Sequence, residues 1–139
     1  MKKGILIHSE ISYAISKLGH GDDIVIADSG LPIPNKVQRI DLALAEGIPS
    51  FMQVLNVVLS EQRVEEVIIA QEVKERNPKV YEQLLETVCN YEKTEQIKLK
   101  ITEVSHEVFK METQKAKAII RTGEYTPYAN IILRSGVVF

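Results

Sequence analysis

Leu18-Gly-His-Gly-Asp-Asp-Ile-Val-Ile-Ala-Asp-Ser-Gly-Leu-Pro-Ile-Pro34 decides the fold. It holds a glycine-framed turn, a short apolar run and a second tight turn. Ile24 to Ala27 is unbroken by any polar residue and too short for a helix, so it reads as a buried strand stopped by Asp28-Ser-Gly. Pro32 and Pro34 keep the chain beyond it extended and irregular. Upstream, Ile11, Ala14, Ile15 and Leu18 recur at helical spacing, which predicts a helix over 10–18 capped by Ser9 and ended by Gly19.

The same alternation continues along the chain. Arg39 to Leu44 suits a short strand. Pro49-Ser50 opens a helix with Phe51, Val54, Leu55, Val58 and Leu59 on one face. Val64 to Gln71 carries the apolar run Val-Ile-Ile-Ala, a second buried strand. Asn77-Pro78 caps a helix striped by Tyr81, Leu84, Leu85 and Val88. Ile97 to Val104 alternates apolar with polar residues as a half-buried strand does. Ser105 caps a helix running to about Ala116, and Ala118–Arg121 and Ala129–Leu133 supply the last strands. Helices alternating with strands predict a three-layer α/β/α fold with a mostly parallel sheet, the last two strands being close enough in sequence to pair antiparallel.

A chain of 139 residues suits one domain spanning 1–139. With 45% apolar and 26% charged residues it is not a disordered sequence. A net charge of −2 leaves no basic footprint for nucleic acid or for an anionic membrane surface. No apolar run approaches the roughly 18 residues of a membrane helix, and the N-terminus meets His8 and Glu10 too early for a signal peptide. The single Cys89 forms no internal disulfide and fits a reducing, cytoplasmic compartment, where it reads as a packed thiol.

Several chemistries find no support. Gly19-His20-Gly21 precedes a strand instead of following one, and Ile24 stands where a third glycine is needed, so this is not a dinucleotide loop. His8, His20 and His106 are far apart, with no paired spacing for a metal. No G-x-S-x-G elbow occurs. Neither a cofactor nor a metal is expected.

Proton-transfer groups remain. His20 can exchange protons near neutral pH, or simply cap the preceding helix. Asp28 can hold a hydroxyl, or merely close an Asx-turn onto Gly30. His106 follows a strand and a cap, and Asp28 ends a strand. Both therefore lie where open α/β sheets collect ligands, outside the carboxyl ends of strands. His8 reads as structural. In Tyr125-Thr-Pro-Tyr-Ala-Asn130, Tyr128 and Asn130 share one side of an expected strand. A phenol ring and an amide suit the C–H faces and hydroxyls of a sugar, although an edge strand with an exposed tyrosine would look the same.

Taken in order, Lys3-Gly-Ile-Leu, Leu18-Gly-His-Gly-Asp, Ala27-Asp-Ser-Gly-Leu-Pro-Ile-Pro, Ser105-His106-Glu107 with Phe109, Arg121-Thr-Gly-Glu and Pro127-Tyr-Ala-Asn130 carry a resemblance over essentially the full length. The chain resembles the ribose pyranase and fucose mutarotase family. The resemblance implies interconversion of the β-pyranose and β-furanose forms of D-ribose in the cytoplasm, without a cofactor. It implies His20 as proton donor and substrate contacts from Asp28, His106, Tyr128, Ala129 and Asn130. It also implies a ring-shaped homo-oligomer, a decamer in known members. Another sugar such as fucose, or a non-catalytic sugar-binding role beside a transporter, are the rival readings.

One geometric expectation follows from spacing. His20 precedes the strand and Asp28 ends it. The four strand residues alone cover ~13 Å, and eight extended steps span at most ~28 Å. The two side chains meet either if the 19–23 turn folds back or if His20 comes from a neighbouring subunit, and the second is expected.

Overall fold

The five residues of β1 (Asp23–Ala27) are all buried, because this strand has a neighbour on each edge and a layer on each face. The computed structural model describes all 139 residues. Around β1 the chain folds α1 (Ser9–Ser16), β2 (Gln38–Asp41), α2 (Phe51–Leu59), β3 (Val64–Ala70), α3 (Val73–Arg76) and α4 (Pro78–Glu95). Then follow β4 (Lys100–Val104), α5 (His106–Glu112), a 3₁₀ turn at Thr113–Lys115, β5 (Ala118–Arg121) and β6 (Ile131–Ser135).

The six strands form one sheet in the order β2-β5-β1-β6-β3-β4. β2, β5 and β1 run parallel, as do β3 and β4, while β6 lies antiparallel between β1 and β3. The mostly parallel sheet expected from the alternating pattern is present. The expected pairing of the last two strands is not: β5 lies on one side of β1 and β6 on the other. The chain between Arg121 and Ile131 crosses the end of β1 instead of turning back in a hairpin.

Alternation along each strand divides the core. Ile24, Ile26, Ile120, Val67, Ile69, Ile131 and Leu133 face α1, α2 and α4. Val25, Ala27, Ile119, Ile68 and Ile132 face the other way, where Phe109 of α5 and Leu31 and Val37 of the loop after β1 cover them. The result is three layers, thick on one side and thin on the other.

Local signals mostly match the expected elements. Ser50 and Gln53 form a reciprocal capping box at α2, and the Ser105 hydroxyl accepts from Val108 N at 3.3 Å at α5. Four details differ. The cap of α1 is His8, whose Nδ1 accepts from Ile11 N at 3.4 Å, and not Ser9, which is the first helical residue. α1 closes at Lys17, and the left-handed residue of the following turn is Gly21 (φ 80°), two positions beyond Gly19. Asn77 stands at the N-cap of α4 as expected, with Pro78 in the first turn, but its side chain makes no capping bond and its amide reaches elsewhere. Cys89 is exposed, because the buried stripe Val80, Leu84, Val88 and Tyr91 leaves it on the outer face of α4.

This topology sorts the candidate residues. The carboxyl ends of β1, β3, β4 and β5 share one edge of the sheet, and antiparallel β6 starts at that same edge. Asp28, His106 and the segment Tyr128–Asn130 are thereby brought together. His20 lies at the opposite edge, beside the end of β6 and the start of β3.

Candidate active site

Asp28 follows the last residue of β1. Its main-chain N–H donates to Asn130 Oδ1 at 2.8 Å, and its Oδ2 accepts from Asn130 Nδ2 at 2.8 Å. Its Oδ1 accepts from Gly30 N at 2.9 Å, so the Asx-turn and the candidate site are the same structure. Burial pushes the Asp28 carboxyl above its ordinary value. Hydrogen bonds from Asn130, Gly30 and Leu31, and the charge of His106, pull it back in part. Asn130 is itself buried and stands behind Asp28, and the Ala129 side chain packs into the core.

Arg121-Thr-Gly-Glu124 clamps the turn that carries Asp28. Arg121 Nε donates to Ser29 O at 3.0 Å, the Thr122 hydroxyl donates to Ala27 O at 2.8 Å, and Glu124 O accepts from Ser29 N at 2.9 Å. Gly123 fits because its main chain lies against the loop before α2: a methyl group there would come within 2.5 Å of Ala45 O and closer still to Ile48 O.

His106 opens α5. Both carboxylate oxygens of Glu72 accept from its main-chain N–H at 3.0 Å. Its ring stacks on Phe109 (centroids 6.4 Å apart, 10° between planes) and meets Tyr128 edge-on at 5.0 Å. Nδ1 is buried with no hydrogen-bond partner in the chain.

Tyr128 is not on a strand. It sits in a turn at φ 60°, a conformation that costs a bulky residue about 1–2 kcal/mol, and β6 begins only at Ile131. The turn is held from outside by Asn77, whose Nδ2 donates to Thr126 Oγ1 at 2.8 Å and to Pro127 O at 2.9 Å. The expected side-by-side placement of Tyr128 and Asn130 therefore fails. Tyr128 faces a cavity while Asn130 supports Asp28 from behind.

That cavity is about 340 Å³ and is lined among others by Asp28, Gly30, Pro32, His106, Thr126 and Tyr128. Its size is at the small end of ligand pockets. Its walls combine carboxylate, imidazole and phenol with apolar surface from Leu31, Pro32 and Pro127, a set that meets both the hydroxyls and the C–H faces of a compact polyhydroxy molecule. No three His, Cys, Asp or Glu side chains gather as a metal would require.

His20 is elsewhere. It lines a separate hollow of about 480 Å³ with Leu18, Ser135 and Phe139, and its Nε2 lies 2.8 Å from Glu65 Oε2. Within one chain β1 separates it from Asp28, so the 19–23 turn does not fold back onto the Asp28 end of the strand. Sequence reasoning missed Glu65, Glu72 and Asn77. Of these only Asn77 gave any signal, and it was that of a helix cap.

The chain is 56% identical to a D-ribose pyranase of Coprothermobacter proteolyticus, over the whole of both chains. Among solved structures it superposes on Bacillus subtilis RbsD complexed with D-ribose at a TM-score of 0.91, with 44% identity and full coverage of both chains. It also superposes on the fucose mutarotase of Streptococcus pneumoniae in complex with L-fucose at a TM-score of 0.79, with 28% identity and full coverage of both. Residues 1–138 match the family model, and the chain belongs to the RbsD / FucU transport protein family.

Proposed function

We propose that this protein is an isomerase that interconverts the pyranose and furanose forms of D-ribose, the whole chain acting as one sugar ring-isomerase domain. The carrying observation is the Asp28–His106–Tyr128 cavity in a chain that is full-length similar to a D-ribose pyranase and to a ribose-bound structure.

Opening a hemiacetal ring requires a proton on the ring oxygen and loss of one from the anomeric hydroxyl. His20 gives its proton to the ring oxygen, the C1–O bond breaks with its electron pair going to that oxygen, and His106 or a bound water takes the anomeric proton. The open aldehyde rotates and a different hydroxyl closes on C1, with both protons returned. No redox change occurs and no cofactor is needed. Positioned acid–base groups contribute typically ~10²–10⁴-fold. Asp28 and Tyr128 hold sugar hydroxyls. Asn130 and Ala129 complete the binding set, Asn130 by fixing the Asp28 carboxylate.

His20 reaches this cavity from a neighbouring subunit. In support, Asp28 and His106 share an edge from which β1 holds His20 of the same chain away. A ring-shaped homo-oligomer, a decamer, supplies the neighbour. Ile5, Ile7, Leu44 and Ile48 are exposed apolar residues, as a self-associating surface requires. We assign the reaction to the cytoplasm, on ribose after its uptake.

Saturation-transfer NMR on D-ribose tests this. His20→Ala and Asp28→Ala are each expected to abolish catalysed exchange while folding normally. Subunits of the two variants, dissociated and reassembled together, are expected to recover part of it, because some interfaces then carry both intact residues. Undiminished exchange in His20→Ala rejects the donor, and no recovery in the mixture rejects the shared site. L-Fucose is the second substrate to assay, given the mutarotase likeness; faster exchange with it than with ribose would reverse the assignment. Ribose binding without any rate enhancement would favour an accessory role.

A further inference from the structure

We propose that Glu65 is the positioning residue of His20: its carboxylate holds Nε2 as the N–H, leaving Nδ1 as the nitrogen that protonates the sugar ring oxygen. The inference rests on His20 being the proton donor and adds the group that aims it.

The contact is built by the fold. Glu65 lies where the pairing of β3 with β6 slips: Val64 pairs with Ser135 and Glu66 with Arg134, leaving Glu65 as an extra residue. Regular alternation from Val67 and Ile69 would turn Glu65 toward the helices. The bulge gives that place to Val64, which is buried in their core, and sends Glu65 outward. Bulges commonly re-aim a side chain in this way. Gly136 lies against it; a methyl group there would stand 3.1 Å from Glu65 Cβ.

His20 is fixed to the same end of β6. Gly21 N donates to Ser135 O at 2.8 Å, Ser135 N donates to Asp22 O at 2.8 Å, and Gly19 N donates to Asp22 Oδ2 at 2.9 Å. Both partners are therefore tied to one strand end, and Nε2 meets Oε2 at 2.8 Å. The side chains remain 60% and 43% exposed, and pairs so exposed add little to stability. The other charged side chains lining the His20 hollow are Glu61 and Arg63, with Arg63 already engaged by Glu95 at 2.9 Å.

The chemistry follows from the imidazole. A carboxylate accepts only, so the nitrogen facing it must carry hydrogen. The imidazolium then gives Nδ1–H to the ring oxygen and is left as neutral imidazole, with Nε2–H still bonded to Glu65. On reclosure Nδ1 recovers the proton.

The test combines carboxylate variants with blocked nitrogens, read as ribose exchange in the assembled protein. Glu65→Ala is expected to lower kcat about 10-fold, part of what a positioned acid contributes. KM and the thermal midpoint are expected to stay unchanged, and Glu65→Gln, whose amide oxygen still accepts from Nε2–H, to restore most of the loss. Histidine methylated on Nδ1 at position 20 is expected to be as inactive as His20→Ala; methylated on Nε2, it is expected to resemble Glu65→Ala. Wild-type kcat in Glu65→Ala, or full activity with Nδ1 blocked, overturns the inference. Full activity in His20→Ala would instead overturn the donor assignment itself, so the two failures are distinguishable.

Discussion

Asp28 and Asn130, 102 residues apart, exchange two hydrogen bonds: the main-chain N–H of Asp28 donates to Asn130 Oδ1, and Asn130 Nδ2 donates to Asp28 Oδ2, both at 2.8 Å. The pair welds the end of β1 to the start of β6 and fixes the carboxylate that faces the cavity. One amide both satisfies a main-chain donor and sets a functional rotamer.

Asn130→Ala removes both bonds and strands a buried N–H and a carboxylate oxygen. Such a loss costs about 1–3 kcal/mol. The urea midpoint is expected to fall accordingly, and ribose affinity to fall with it as Asp28 gains rotamer freedom. An unchanged midpoint would show that Asn130 is not the support of this turn.

The raised pKa of Asp28 gives a pH signature with a definite sign. Burial, its largest cause, lifts the carboxyl above 3.8 in the folded protein. Between 3.8 and the folded value the native state binds more protons than the unfolded chain. The stability this group contributes is therefore complete below the unfolded value and lost as pH rises through the folded one. Asp28→Asn does not titrate, so its stability relative to wild type should move in its favour between about pH 3.5 and about pH 7. Urea unfolding of both proteins at the two pH values reads the difference, and a drift the other way refutes the burial argument.

Gly123→Ala probes the clamp from outside the cavity. Gly123 O accepts from Gly47 N at 2.6 Å and its N–H donates to Pro49 O at 2.8 Å, so the added methyl group meets main chain that cannot swing away. A loss of about 3 kcal/mol is expected, at the top of the overpacking range. KM for ribose is expected to rise, because Thr122 and Glu124 on either side hold Ala27 and Ser29. Calorimetry and the exchange assay check both; wild-type values would show that the loop yields.

Most element types and their order were written in the sequence, because side-chain periodicity and capping are local; the one-turn helix α3 was too short to show a period. Ile24–Ala27 had to be a buried strand, Ser50 and Ser105 had to start helices, and the alternation of elements called for a mostly parallel sheet. Asp28 and His106 were legible as site candidates for the same reason: each stands just past a strand's carboxyl end. What tertiary structure alone decided is where β6 goes. Its insertion between β1 and β3 depends on how distant segments share one core, and no local pattern encodes that. That choice sets Asn130 behind Asp28, turns Tyr128 into a left-handed corner pinned by Asn77, and opens the bulge that aims Glu65 at His20. Each is a contact between residues tens of positions apart, formed only once the sheet has closed.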